Sequence, residues 1–301
     1  MTMHSMVYTR IETLLAGGAC VLLDGGVGTE VARGESAASG STADLPATWA
    51  IYDRMQRVLE VHRTYAAVGC DIISTHTWGL LSSAASVRGR RPGRTGLPAW
   101  TVATSDAVAL ARQGIAEAGR AGRCAVAFSL NDSDPLLATE HDYLRLLWTI
   151  HPPDLVLVET LPCAPSPALC RAIAALTATG LPVWASFRCA PTAGGDPPGS
   201  FTTAVRELEG AGVAAVLINC IPVKQTSEAL FMLSDATTLP IGCYPRLDHH
   251  VDPAAYGELV VGWRAQGARI IGGCCGVGPL HIAEAHRLLV TDDLSGSSTR
   301  S

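Results

Sequence analysis

Several features are missing from this 301-residue chain, and each absence narrows its chemistry. Charge is sparse, at 16 % of residues, and its balance is −5 rather than basic. Nucleic-acid binders usually need a positive face to release phosphate counterions, so DNA and RNA are not expected partners. No stretch approaches the roughly 18 apolar residues of a membrane span. Residues 1–10 lack a charged segment followed by an apolar run, the mark of a secretory leader. The expectation is a soluble, cytoplasmic protein that meets small molecules and no membrane.

Apolar residues dominate instead, at 48 %, and Ala, Gly and Val are abundant. That mixture suits a parallel sheet buried on both faces and excludes disorder over most of the length. The ten cysteines are dispersed through the chain. Disulfide frameworks belong to short secreted sequences, so reduced thiols are expected, most of them filling the core.

Short β-branched runs recur at 20–26, 71–78, 123–130, 155–160, 182–187, 214–220, 239–245 and 268–275. Between them lie segments with helical spacing at 55–67, 101–118, 143–150, 165–178, 203–211, 227–235, 253–266 and 279–290. Gly69, Gly180 and Gly212 end three of these helical segments, as glycine does beyond a helix C-terminus. Eight strand–helix units predict an α/β fold of the (β/α)₈ TIM-barrel type. A single domain is expected over 1–291, with a polar, disordered tail over 292–301. The rival, an open dinucleotide-binding sheet, needs Gly-x-Gly-x-x-Gly after the first strand. Asp24-Gly25-Gly26-Val27-Gly28-Thr29 lacks that spacing. Stretches 34–47 and 87–98, the second with four arginines, read as loops on the strand-exit side, where barrels build their sites.

Cysteines close two of the strand runs. Asn219-Cys220 ends the sixth, and Gly272-Gly273-Cys274-Cys275-Gly276 ends the eighth. Adjacent residues of a regular strand point to opposite faces, so two vicinal thiols can meet at one point only where the backbone leaves strand geometry. The flanking glycines permit that departure. A single buried cysteine is ordinarily a small hydrophobe. A Cys-Cys pair between glycines packs poorly in that role and points to a metal. Three thiolates with an open fourth position describe catalytic Zn²⁺, and a thiol entering that position is deprotonated near neutral pH.

These cysteine motifs, with Pro279, His281 and Ile282, resemble the homocysteine S-methyltransferase family. Further matching stretches are the opening Leu23-Asp24-Gly25-Gly26-Val27-Gly28-Thr29-Glu30, Glu159-Thr160-Leu161-Pro162 and Tyr244-Pro245. The resemblance covers nearly the whole chain. It implies a zinc-bearing barrel that moves a methyl group from a small sulfonium or betaine donor to the thiol of homocysteine, giving methionine. Cys220, Cys274 and Cys275 would act through the zinc they ligate. Asp24, Gly25 and Glu159 would hold the amino and carboxylate ends of homocysteine, with Thr29 beside them. Trp49 and Trp78 are candidate walls for a cationic donor, since aromatic faces attract sulfonium and quaternary ammonium groups. Plain packing is an equal reading for both.

The chain departs from the family pattern where His76 stands in place of an Asn, where Ser129-Leu130-Asn131 replaces a glycine-rich turn, and where Arg246 follows Tyr244-Pro245. His76 is read as a polar contact of the site or a core histidine. His249 and His250 are assigned no metal. Two alternatives to homocysteine methylation stay open: a zinc barrel methylating another thiol, selenol or other nucleophile, and a non-catalytic zinc- or thiol-binding homologue.

Overall fold

The computed structural model describes residues 5–33, 50–79, 99–131, 148, 152–189 and 199–296. Eight parallel strands form the sheet: β1 (Val21–Leu22), β2 (Ile72–Ser74), β3 (Ala125–Asn131), β4 (Leu155–Leu161), β5 (Val183–Phe187), β6 (Ala215–Pro222), β7 (Ile241–Arg246) and β8 (Ile270–Ile271). Their order is β1-β8-β7-β6-β5-β4-β3-β2, and a parallel bridge between Leu23 and Ile72 joins the two ends. The protein is a (β/α)₈ barrel, and each strand falls on an apolar run read from the sequence.

Around the sheet lie α4 (Met55–Ala67), α5 (Ala99–Glu117), α6 (Pro167–Thr177), α7 (Ser200–Gly210), α8 (Thr226–Ala236), α9 (Pro253–Ala265) and α10 (Pro279–Gly296). Three more helices fall where no helical spacing is read from the sequence: α1 (Met6–Ala16), α2 (Val27–Ala32) and the short α3 (Ala50–Asp53). Ser166 and Asp252 cap α6 and α9 through their side chains, each followed by a proline in the first turn. Gly69, Gly212 and Gly267 follow helix ends at φ of 111°, 89° and 99°, a conformation that glycine adopts without steric cost. The expected helix at 143–150 and the loops at 34–47 and 87–98 lie outside the described residues, apart from Trp148. Helix α10 runs through Gly296, into the stretch expected to be a tail. Among the described residues, no helix is long and apolar enough to cross a membrane.

Two apolar clusters account for the two faces of the sheet. Val21, Leu23, Ile72, Ala125, Ala127, Leu155, Leu157, Trp184, Ala215, Leu217 and Ile270 fill the barrel interior. The alternate residues, among them Leu22, Ile73, Val126, Val156, Val183, Val216 and Ile271, pack outward against the helices. Helix α1 plugs the strand-entry end: its Tyr8 and Ile11 join the interior cluster, and the Trp184 indole donates to the Tyr8 hydroxyl at 3.0 Å. Arg10 ties the same helix to Asp71 at 2.9 Å, beside the start of β2. With that end closed, the strand-exit end is the one left for ligands.

The cysteine expectation needs one correction. Cys163 and Cys189 form a disulfide with their Cα atoms 5.1 Å apart. They lie just beyond β4 and β5, neighbouring strands whose exits the parallel register brings side by side, a proximity that their 26-residue separation conceals. Cys70, Cys124 and Cys243 are free and buried, as expected of core fillers.

His62, on α4, is completely buried, and neither ring nitrogen has a hydrogen-bond partner among the described residues. Burial, assisted by nearby His76, pushes its pKa down to about 3. The unfolded chain therefore binds a proton below about pH 6.5 that the folded chain refuses until near pH 3. Stability that is complete above pH 6.5 is lost on acidification through this window. We expect His62→Leu to flatten the acid-side stability curve and to gain about 2 kcal/mol relative to the parent protein at pH 5. Urea unfolding at pH 5 and pH 7.5 measures this, and parallel curves for the two proteins would refute it.

Candidate active site

Polar side chains replace apolar ones at the exit end of the barrel interior. On β2 to β6 the next inward-facing position beyond the apolar filling holds Ser74, Ser129, Glu159, Ser186 and Asn219. Asp24 closes the ring at the exit of β1. Each finds a neighbour within it. Ser74 donates to Asp24 through both its backbone N–H, at 2.7 Å, and its hydroxyl. Ser129 donates to Glu159 at 2.5 Å, and Ser186 donates to the Asn219 carbonyl at 3.0 Å. The Thr160 N–H also donates to that carbonyl, at 3.1 Å. The result is a polar floor over an apolar barrel.

Burial dominates the acids of this floor. It raises Asp24 to about 8 against the opposing hydrogen bonds from Ser74, and Glu159 to about 7 against that from Ser129. Two buried donors on the floor, the Asn219 amide nitrogen and the Tyr244 hydroxyl, have no hydrogen-bond partner among the described residues. The latter lies beside Glu159 and Ser186 without reaching hydrogen-bond geometry with either. Buried polar atoms are ordinarily satisfied, so this pair marks a place for a ligand or an ordered water.

Three sulfurs stand over the floor. Between Asn219 and Pro222 the pairing of β6 with β7 shifts register, and Cys220 takes a φ of 52°. A non-glycine residue in that region costs about 1–3 kcal/mol and persists only where its surroundings hold it. A parallel irregularity interrupts β4 between Val158 and Leu161, where Thr160 has a φ of 61°. Beyond β8 the chain leaves the sheet in a turn held by backbone hydrogen bonds from three sides. Gly273 N–H donates to Asp24 at 2.9 Å, Cys274 N–H to Pro245 at 2.8 Å, and Leu247 N–H to Cys275 at 2.9 Å. The hydroxyls of Tyr65 and Tyr256 grip the carbonyls of Val277 and Gly272 at 3.0 and 2.6 Å. Gly276, at φ 83°, completes the turn.

The ligand-competent atoms of Cys220, Cys274 and Cys275 consequently lie within 4.8 Å of one another, with the two vicinal sulfurs 3.8 Å apart. Zinc–sulfur bonds of about 2.3 Å at tetrahedral angles separate ligand sulfurs by about 3.8 Å, so the cluster has the dimensions of a three-thiolate metal site. Hydrogen bonds from Cys220 and Cys274 favour the Cys275 thiolate and push its pKa well down, with Thr29 contributing a further one. The same contacts, with burial, hold Cys274 protonated.

The remaining residues singled out in the sequence fall at different distances from this centre. Gly25 packs so tightly that a Cβ there would lie 2.3 Å from the Val277 carbonyl, and its N–H has no partner among the described residues. His76 is buried near Gly28 of α2. Trp78 is half exposed on the turn after β2, and Trp49 lies outside the described residues. Arg246, at the end of β7, donates to Asp248 at 2.7 Å and to the Cys220 carbonyl at 3.4 Å.

A closed parallel barrel with acids and a three-cysteine cluster at its strand-exit end defines the class: an enzyme of the (β/α)₈ type with three cysteines placed where they could hold a metal ion. Comparison with known proteins narrows it. The sequence profile of the homocysteine S-methyltransferase family matches residues 21–289, and the chain belongs to that family of methyltransferases. It is 27 % identical to the homocysteine S-methyltransferase of Escherichia coli K12, over 87 % of this chain and 93 % of that protein. A shorter match, 34 % over 83 residues, is to the homocysteine S-methyltransferase YbgG of Bacillus subtilis 168. The crystal structure of the E. coli homocysteine methyltransferase MmuM in metallated form superposes with a TM-score of 0.70 at 25 % identity, covering 93 % of this chain and 99 % of that one.

Ser74, Ser129, Ser186 and Tyr244 carry no site role in the sequence reading, although Ser129 and Tyr244 stand in stretches noted there. The available signal was a polar residue at the last inward position of successive strands. The glycine at 26 offers a test of how the cysteine turn is held. A Cβ at Gly26 would lie 2.6 Å from the Cys274 carbonyl. Gly26→Ala is expected to displace the turn and to weaken metal binding about tenfold to a hundredfold, as loss of groups supporting metal ligands does. Competition with a chromophoric chelator reads the affinity, and an unchanged value would show that the turn is not held there.

Proposed function

We propose that this protein is a zinc-dependent methyltransferase that moves a methyl group from a small sulfonium or betaine donor to the sulfur of L-homocysteine, giving methionine. The observation that carries the reading is the convergence of Cys220, Cys274 and Cys275 from two strand exits above a polar, acid-bearing floor. Zinc held by these three cysteines would supply Lewis acidity that keeps an incoming thiol deprotonated at neutral pH. The chain's own residues do the rest. Asp24 and Glu159 receive the acceptor's ammonium group, and the Gly25 N–H, with Thr29 alongside, receives its carboxylate. Trp78 would face the cationic donor. The walls of the barrel exclude water and hold sulfur and methyl carbon in line, which is the main gain available to a displacement of this kind. The sulfur forms its bond to the methyl carbon as the donor's heteroatom takes back the bonding pair and leaves neutral. The domain division that fits this reading is one barrel over 1–291.

The purified, zinc-loaded protein should form methionine from L-homocysteine with at least one of S-methylmethionine, S-adenosylmethionine and betaine. Cys274→Ala should abolish turnover and lose the bound zinc. Absence of product with all three donors would redirect the search to another acceptor.

The floor acids give a pH test with a definite sign. A carboxyl whose pKa is raised binds an ammonium only when ionised, so affinity should climb as pH rises from 6 to about 8, the value for Asp24. L-norvaline, a thiol-free isostere of the acceptor, isolates this effect in calorimetry. Asp24→Asn should remove most of the climb, and a pH-independent affinity in the parent protein would refute the assignment of the acids.

A further inference from the structure

Arg246 stands where no function has yet been assigned to it. Strand alternation puts it on the same face of β7 as Tyr244, one step further out, so it rises from the floor toward the mouth of the site. Its backbone is fixed on both sides: residue 246 pairs with Pro222 of β6, and the next residue donates to the Cys275 carbonyl at 2.9 Å. The backbone at 246–247 thus runs between the segments that carry Cys220 and Cys275. Its Nε donates to Asp248 at 2.7 Å and one terminal nitrogen to the Cys220 carbonyl at 3.4 Å. The other terminal nitrogen has no hydrogen-bond partner among the described residues, and the side chain keeps 37 % of its exposure. A guanidinium clamped along one edge, with a free donor at the mouth, is a preorganised receptor for a carboxylate.

Electrostatics decides which substrate meets it. The acceptor end of the pocket already has its acids at the floor. The methyl donor carries a positive charge and must arrive from the open side, past Arg246. The Arg246–Asp248 ion pair is close to neutral, so a bare cation gains nothing there, whereas a donor with its own carboxylate places that group against the open edge of the guanidinium. Resting on the methyl-transfer reading above, we propose that Arg246 is a specificity-determining residue that binds the carboxylate of the methyl donor. It would select zwitterionic donors over sulfonium cations that lack a carboxylate. Asp248 is the positioning partner that holds the guanidinium edge-on.

Calorimetry on the zinc-loaded protein tests this, with S-methylmethionine as the carboxylate-bearing probe and trimethylsulfonium as the carboxylate-free one. Arg246→Asn removes the charge at a partly exposed position. It should weaken S-methylmethionine binding about tenfold to a hundredfold, the usual loss for a charge-assisted hydrogen bond. Trimethylsulfonium binding should hold steady or tighten, and homocysteine affinity and zinc content should not change. Arg246→Lys, which keeps the charge without the planar fork, should fall between. Unchanged S-methylmethionine binding, equal losses for both probes, or a loss confined to homocysteine would each overturn the assignment. The two readings fail separately. Methionine formation with an indifferent Arg246→Asn sinks this inference alone, and Arg246-dependent binding of S-methylmethionine without turnover sinks the methyl-transfer reading alone.

Discussion

The site depends on one backbone constraint: the chain beyond β8 must leave strand geometry so that two adjacent cysteines face one point. Regular strand alternation would send one sulfur outward among the helices. The turn instead spends its N–H groups on the carbonyls of Asp24 and Pro245, while its own carbonyls receive Leu247 and the hydroxyls of Tyr65 and Tyr256. Elements from β1, β7, α4 and α9 therefore all end on the same few residues. Disturbing any of them reaches the sulfurs.

That constraint explains the tightness around β1. Gly25 and Gly26 have carbonyls of the cysteine turn where side chains would otherwise be, so the first and eighth strand exits interlock through backbone alone. Closure of the barrel by the Leu23–Ile72 bridge then carries the contact on to β2, where Ser74 fixes Asp24. The acids of the floor and the sulfurs above it are parts of one connected framework. Membership of the homocysteine S-methyltransferase family gives that framework its chemical class.

Several energetic costs collect at the site. Cys220 and Thr160 hold left-handed backbone without being glycine, two acids are buried at raised pKa, and two buried donors lack partners among the described residues. The apolar barrel below and the helical layer around it offset these costs. Below the floor the inward positions are apolar, with Tyr8 and Trp184 closing the far end. Local rules fail where ligands must bind, as expected of a functional site.

Much of this was legible along the chain. The eight apolar runs gave eight strands because a parallel sheet covered on both faces needs uninterrupted apolar residues. The glycines flanking Cys274 and Cys275 announced irregular backbone by their composition. Other features were beyond one-dimensional reading. The pairing of Cys163 with Cys189 depends on which strand exits lie side by side, and the polar floor on the inward phase of five separate strands. The plug formed by α1 depends on which end of the barrel is closed. The sequence by itself determined most of the secondary elements and the chemistry of the clustered cysteines, because these follow from side-chain type and short-range periodicity. Only the tertiary structure decided which polar residues share a surface, how Asp24 and Glu159 are desolvated, and that Arg246 overlooks the sulfurs, because each is a distance between segments far apart in the chain.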